Sequence, residues 1–193
     1  YKYRDNGVDR NLVRQIKAYY YATISFVDYQ IGRVLEALDD EGQLDNTLVI
    51  FTSDHGEYLG DFNCFGKRAM HDPSARIPML ARYPDRFPAD TRCTTATSLV
   101  DIMPTILAAA GVPDDDLELD GTGDDDRQFV VSQHGRGPQG IYMIASDKWK
   151  YVYSAGDDLE LLYDRCNDPD ESANLAADPA QNADKARLRD ALL

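Results

Sequence analysis

A chain of 193 residues with 43% hydrophobic content can bury a packed core and has room for one domain, or for a part-domain carrying a small subdomain. Its formal charge of −14 argues against nucleic-acid and anionic-membrane partners, both of which need cationic patches. Three cysteines without CxxC spacing point to neither a zinc site nor a dense disulfide framework, and no apolar run approaches the roughly 18 residues of a membrane span.

The first element is a helix over Asn11 to Leu38. Ile16, Tyr20, Ile24, Val27, Ile31, Val34, Leu35 and Leu38 recur at spacings of three and four, which draws one apolar stripe. Asp9 or Asn11 can cap its start and Gly42 suits its end. Asp28 falls beside the stripe and reads as a bonded polar group at a helix–sheet boundary. Tyr19, Tyr20 and Tyr21, like Trp149 further on, read as core aromatics.

Thr47 to Thr52, with Leu48, Val49, Ile50 and Phe51 in a row, reads as a strand buried on both faces, as in parallel sheets. It stops at Asp54 and His55. Sites in open α/β sheets form at the carboxyl ends of strands. A hard carboxylate oxygen beside a borderline imidazole nitrogen suits a divalent cation. The competing reading makes Asp54 a helix cap and His55 an ordinary loop residue. Glu57 reads as a brace for the following turn rather than a third ligand. Gly56 and Gly60 let the chain turn away.

Residues 57–76 are expected as a loop or short helix, Ile77 to Ala81 as a strand, and Tyr83 to Pro88 as a turn-rich exit. Ser98 to Ala110 is a helix stopped by Gly111 and Pro113, with Pro104 in its first two turns. The acidic connection from Pro113 to Arg127 divides an α/β part, 1–113, from a small α+β part, 114–193. Asp114 to Asp116 and Asp124 to Asp126 read as solvated turns, because EF-hand ligand spacing is absent. Phe129 to Ser132, Ile141 to Ala145, Lys150 to Tyr153 and Glu160 to Tyr163 are short strands of an antiparallel sheet. Asp184 to Leu193 is a terminal helix.

Three segments in this order resemble the sulfatases of the alkaline phosphatase superfamily. They are Ser53-Asp54-His55-Gly56-Glu57, then Lys67 after a glycine-punctuated loop, then His71-Asp72-Pro73-Ser74-Ala75-Arg76-Ile77-Pro78. Asp101-Ile102-Met103-Pro104-Thr105 and the Glu160-Leu161-Leu162-Tyr163-Asp164, Asp168-Pro169-Asp170-Glu171 and Asn174-Leu175 segments are similar to later family patterns. The resemblance implies an α/β fold: part of an alkaline-phosphatase-like sandwich, mainly a parallel sheet with flanking helices, plus a small C-terminal antiparallel sheet and helix. It implies that Asp54 and His55 bind a divalent metal, calcium in the first instance. Magnesium, manganese or zinc stay open, because a histidine ligand is unusual for calcium. Lys67 would contact the sulfate and the leaving ester oxygen, where a fixed ammonium favours the transition state. His71 could share a helical face with Lys67 and serve in acid–base or substrate contact, although many relatives carry Tyr there. Arg76 is expected to be structural, and His134 and Arg136 to form a turn without function.

The departure from the family matters equally. Sulfatases carry a Cys or Ser nucleophile in a Cys/Ser-x-Pro-x-Arg motif, matured to formylglycine, and take two more aspartate ligands from their first strand. Cys64, Cys93 and Cys166 lack that context. The expectation is therefore the C-terminal portion of a longer sulfatase, inactive alone. Its substrate would be a sulfate-ester small molecule or sulfated glycan, and its partner the N-terminal part of the same enzyme, with self-association through an uncovered strand edge. The family suggests a periplasmic or secreted location. The competing readings are a phosphonate monoester or phosphodiester hydrolase of the same superfamily, and a non-catalytic binding module.

Overall fold

The structure, a computed structural model, describes residues 9–113, 117–119, 121 and 127–192. The acidic runs 114–116 and 124–126 lie outside them. Among the described residues the chain forms two compact units. One contains the residues up to Lys67 together with Arg76–Arg92, and the other Arg68–Ala75 together with the residues from Cys93 onward.

The first unit opens with helix α1, Arg10–Asp40. The Asp9 side chain accepts from the Asn11 N–H at 2.8 Å, which satisfies one of the orphan donors of the first turn. At the far end Gly42 turns left-handed, with Gly42 N–H bonded to Asp39 O and Gln43 N–H to Leu38 O, so that two orphan carbonyls are satisfied as well. The apolar stripe is present, but no residue of α1 is buried. Tyr19 is 78% exposed and Tyr21 61%, so the expectation that these tyrosines are core is corrected. Asp28 is likewise exposed on the helix surface rather than seated at a boundary.

Strand β1, Val49–Thr52, pairs antiparallel with β2, Met79–Arg82, in the register Val49↔Arg82 to Thr52↔Met79. β1 is only partly covered, not buried on both faces: Phe51 is exposed because, among the described residues, β2 is its sole sheet neighbour. Arg82 closes the far end by donating to Leu44 O at 2.8 Å and pairing with Asp45.

The second unit contains the four-residue helix α2, Asp72–Ala75, and helix α3, Ile102–Ala110. A capping box between Ser98 and Asp101 starts the turn that leads into α3. Arg127 then grips the Asp101 carboxylate with two hydrogen bonds, 2.6 and 2.9 Å. Gly121 packs so close to the Val100 carbonyl that any Cβ would overlap it.

The remainder is a meander in the order β3-β4-β5-β6: Val130–His134, Ile141–Ala145, Trp149–Ser154 and Leu159–Asp164. Its alternating side chains build two cores. On one face Ile144, Trp149, Tyr151 and Leu162 pack with Leu188 of helix α4, Asn182–Leu192. On the other, Met143, Ala145 and Val152 pack with Met70 and Ala75. Trp149 is core, as its sequence context predicts.

Candidate active site

Where β1 ends, Thr52 Oγ1 donates to Pro78 O at 2.9 Å and Ser53 Oγ donates to His55 O at 2.8 Å. These bonds turn the chain so that Asp54 and His55 stand together. Asp54 Oδ1 accepts the His55 N–H at 3.0 Å, and Asp54 Oδ2 lies 3.2 Å from His55 Nε2. His55 Nδ1 is 2.8 Å from Gly56 O, and the Lys67 ammonium meets Nε2.

The partners of the ring distinguish its two nitrogens. A carbonyl oxygen only accepts, so Nδ1 carries the proton that bonds Gly56 O. The Lys67 ammonium only donates, so Nε2 presents a lone pair. That lone pair is taken by the Lys67 ammonium, itself a cation, beside the Asp54 carboxylate, so Nε2 could ligate a metal only with the ammonium moved off it. The orientation of the imidazole by a backbone carbonyl on its far nitrogen is the usual support of a histidine metal ligand. A carboxylate oxygen and an imidazole nitrogen are donor types that suit a divalent cation. Among the described residues no third His, Cys, Asp or Glu completes a cluster. Asp54 is 79% exposed at its side chain, so the donors open outward.

Lys67 is delivered by a tightly clasped loop. Tyr58 N–H bonds Gly66 O at 3.1 Å, and Gly60 N–H bonds Cys64 O at 2.9 Å. The Glu57 carboxylate accepts Gly66 N–H at 2.6 Å and Leu59 N–H at 3.3 Å, the bracing expected from sequence. Gly60 and Gly66 adopt left-handed backbone, as do Leu59, Phe62 and Asn63; Gly56 does not. Left-handed backbone is strained for a side-chain-bearing residue, and buried Tyr58 anchors this loop.

His71 belongs to the second unit. The segment before it is not helical and α2 begins only at Asp72, so His71 and Lys67 do not share a helical face. His71 is half-buried, with Nε2 3.1 Å from the Tyr163 hydroxyl. Burial, then the nearby Lys150 ammonium, hold its pKa below the ordinary histidine value, with Asp72 pulling the other way. Burial, with Glu171 and Asp168 nearby, pushes the Tyr163 hydroxyl up to about 12. Sequence reading did not single out Lys150 or Glu171, each almost wholly buried and ion-paired with the other. The available signal was a lysine flanked by Trp149 and Tyr151 inside a strand. His134, the last residue of β3, and Arg136, on the turn around Gly135 and Gly137, are both exposed.

Residues 1–112 match the family model described as Sulfatase. Arylsulfatase K of Xenopus laevis is 34% identical over 184 residues, covering 85% of this chain and 34% of that protein. The phosphonate monoester hydrolase of Agrobacterium radiobacter superposes with TM-score 0.82 at 32% identity, covering 93% of this chain and 40% of the other. BT4656, solved in complex with its substrate D-glucosamine-2-N,6-O-disulfate, gives TM-score 0.79 at 31% identity, covering 89% and 38%. The chain thus spans about a third of the length of the curated relatives it matches.

Proposed function

Given that this chain belongs to the sulfatase family, we propose that it is the C-terminal portion of an enzyme hydrolysing sulfate esters, including sulfated sugars. The observation that carries this is the meeting of Asp54 Oδ2, His55 Nε2 and the Lys67 ammonium at the end of β1. Asp54 and His55 would hold a divalent cation, calcium first among the candidates, which supplies Lewis-acid stabilisation of charge on the sulfate oxygens. Lys67 binds the sulfate and stabilises negative charge that develops on the leaving ester oxygen. Glu57 keeps Lys67 in place through the loop it clasps. His71, kept neutral, serves as a proton-handling or substrate-contact group. The formylglycine nucleophile would come from outside these residues.

The test is hydrolysis of an aryl sulfate by the full-length protein carrying this chain. Turnover that disappears in Asp54→Ala supports the reading. The similarity to a phosphonate monoester hydrolase favours a second reading, in which the substrate is a phosphonate monoester. Higher kcat/KM for that ester than for the sulfate would select it. No turnover of either ester would leave a non-catalytic binding module.

A further inference from the structure

Lys150 and Tyr163 are direct partners across the β5–β6 ladder, and both reach toward residues 71 and 72. Lys150 is 2% exposed, and its ammonium contacts the carboxylates of Asp72 and Glu171. Glu171 also accepts the Asp72 backbone N–H at 2.7 Å, and Arg165 stands 4.0 Å from the second Asp72 oxygen. One residue earlier, His71 Nε2 meets the Tyr163 hydroxyl. Glu171 reaches inward from left-handed backbone, in a loop that Asp168 ties by accepting from Ser172 and Ala173.

A buried ammonium between two carboxylates is a poor way to gain stability, since apolar side chains of similar volume do as well or better. What such a cluster does supply is direction, because its hydrogen bonds and ion pairs have preferred geometries. We propose that the cross-strand pair Lys150–Tyr163 is a positioning device for His71. Lys150 fixes, through Asp72 and Glu171, the turn from which the imidazole projects, and Tyr163 fixes the imidazole itself. Use of His71 in turnover rests on the sulfatase reading above; the device itself does not.

The charges acting on His71 are Lys150 from β5 and Asp72 beside it, the Tyr163 hydroxyl from β6 bonds its ring, and Glu171 and Arg165 act one step away through Lys150 and Asp72. The Tyr163 hydroxyl keeps its proton at neutral pH and shares a hydrogen bond with Nε2, which holds the ring in place whichever of the two donates. Loss of the Lys150 charge would leave Asp72 to favour the imidazolium. Glu171 offsets the Lys150 charge, so its loss would act in the opposite sense.

The experiment is a titration of His71 by NMR in the full-length protein with labelled histidine, the signal being assigned by its disappearance in His71→Asn. Lys150→Met is expected to move the titration to higher pH. Glu171→Gln, which keeps an oxygen acceptor for the Asp72 N–H, is expected to move it lower. The acid limb of kcat/KM should follow in the same directions, with Lys150→Arg restoring most of the wild-type profile. A folded Lys150→Met protein with an unmoved His71 titration would overturn the proposal. If Lys150→Met does not fold, Glu171→Gln decides by the same criterion. A His71 titration that moves while the activity profile stays fixed would overturn the role in turnover. Absence of any sulfate hydrolysis would count against the sulfatase reading, and the titration would still decide the positioning device.

Discussion

The Lys67 ammonium contacts the same His55 nitrogen that lies 3.2 Å from Asp54 Oδ2. Lys67 and His55 are twelve residues apart, and the intervening loop turns back on itself to bring them together. A carboxylate, an imidazole and an ammonium thus meet in one corner of the first unit.

In the full-length protein, Asp54→Ala should nearly abolish kcat toward an aryl sulfate. Lys67→Ala should cost ~3 kcal/mol, the scale of losing one preorganised charge-stabilising donor. Steady-state kinetics read both, and wild-type rates in either variant would remove that residue from the site.

Glu57→Ala strips the acceptor from the Gly66 and Leu59 amides. Leaving such donors unsatisfied costs about 1–3 kcal/mol. Urea unfolding should show a lower midpoint, and kcat should fall as Lys67 loses its fixed placement. A drop in stability with kcat intact would separate the loop from catalysis.

Leu188 is fully buried where α4 covers the sheet. Leu188→Ala should destabilise by about 2–5 kcal/mol, the range for a buried leucine truncation. Thermal unfolding followed by circular dichroism measures it, and a change below 1 kcal/mol would contradict the packing of α4.

His71 supplies a pH signature. Its pKa lies below the ordinary 6.5, so unfolding takes up a proton. The stability it contributes is complete above 6.5 and is lost as pH falls below that value toward its folded-state pKa. Glu171 acts oppositely: burial raises its pKa, so its contribution is present at low pH and is lost as pH rises through the raised value. The difference between wild type and His71→Asn isolates the histidine. Urea midpoints for the two proteins should converge as the pH is lowered through this window, and a constant gap would show that His71 is not held neutral.

The 193-residue chain on its own should associate. Phe51 and Leu80 are 41% and 65% exposed on the β1–β2 pair, and α1 exposes Tyr19, Phe26 and Tyr29. Uncovered strands and aromatic faces of this kind recruit other chains. Light scattering during size exclusion should report species above monomer mass; a clean monomer with cooperative unfolding would refute the expectation.

Much of this was legible in the sequence. The four strands of the meander came from period-two runs separated by Gly, Asp and Pro, and their ends fell within one or two residues of those observed, since strand ends depend on pairing rather than on local preference. Helices α1 and α3 were readable because Asp9, Gly42, Ser98 and Gly111 terminate them chemically. The exposure of Tyr19 and Tyr21 was not readable, because an aromatic side chain carries no label for what covers it. Nor was the burial of Lys150, which depends on Asp72, 78 residues away in sequence. A lysine in a strand looks solvent-facing until its distant partners are placed. His71 was recognisable as a candidate, but its neighbour Tyr163 was not, since that contact spans 92 residues.

The dependence of one sheet on α4 has a genetic reading. An in-frame deletion of residues 182–192 is small, yet it would strip the cover from Ile144, Trp149, Tyr151 and Leu162. The opposite face of that same sheet carries Lys150 and Tyr163. A lesion confined to this one helix is therefore expected to behave as a null allele rather than a mild one.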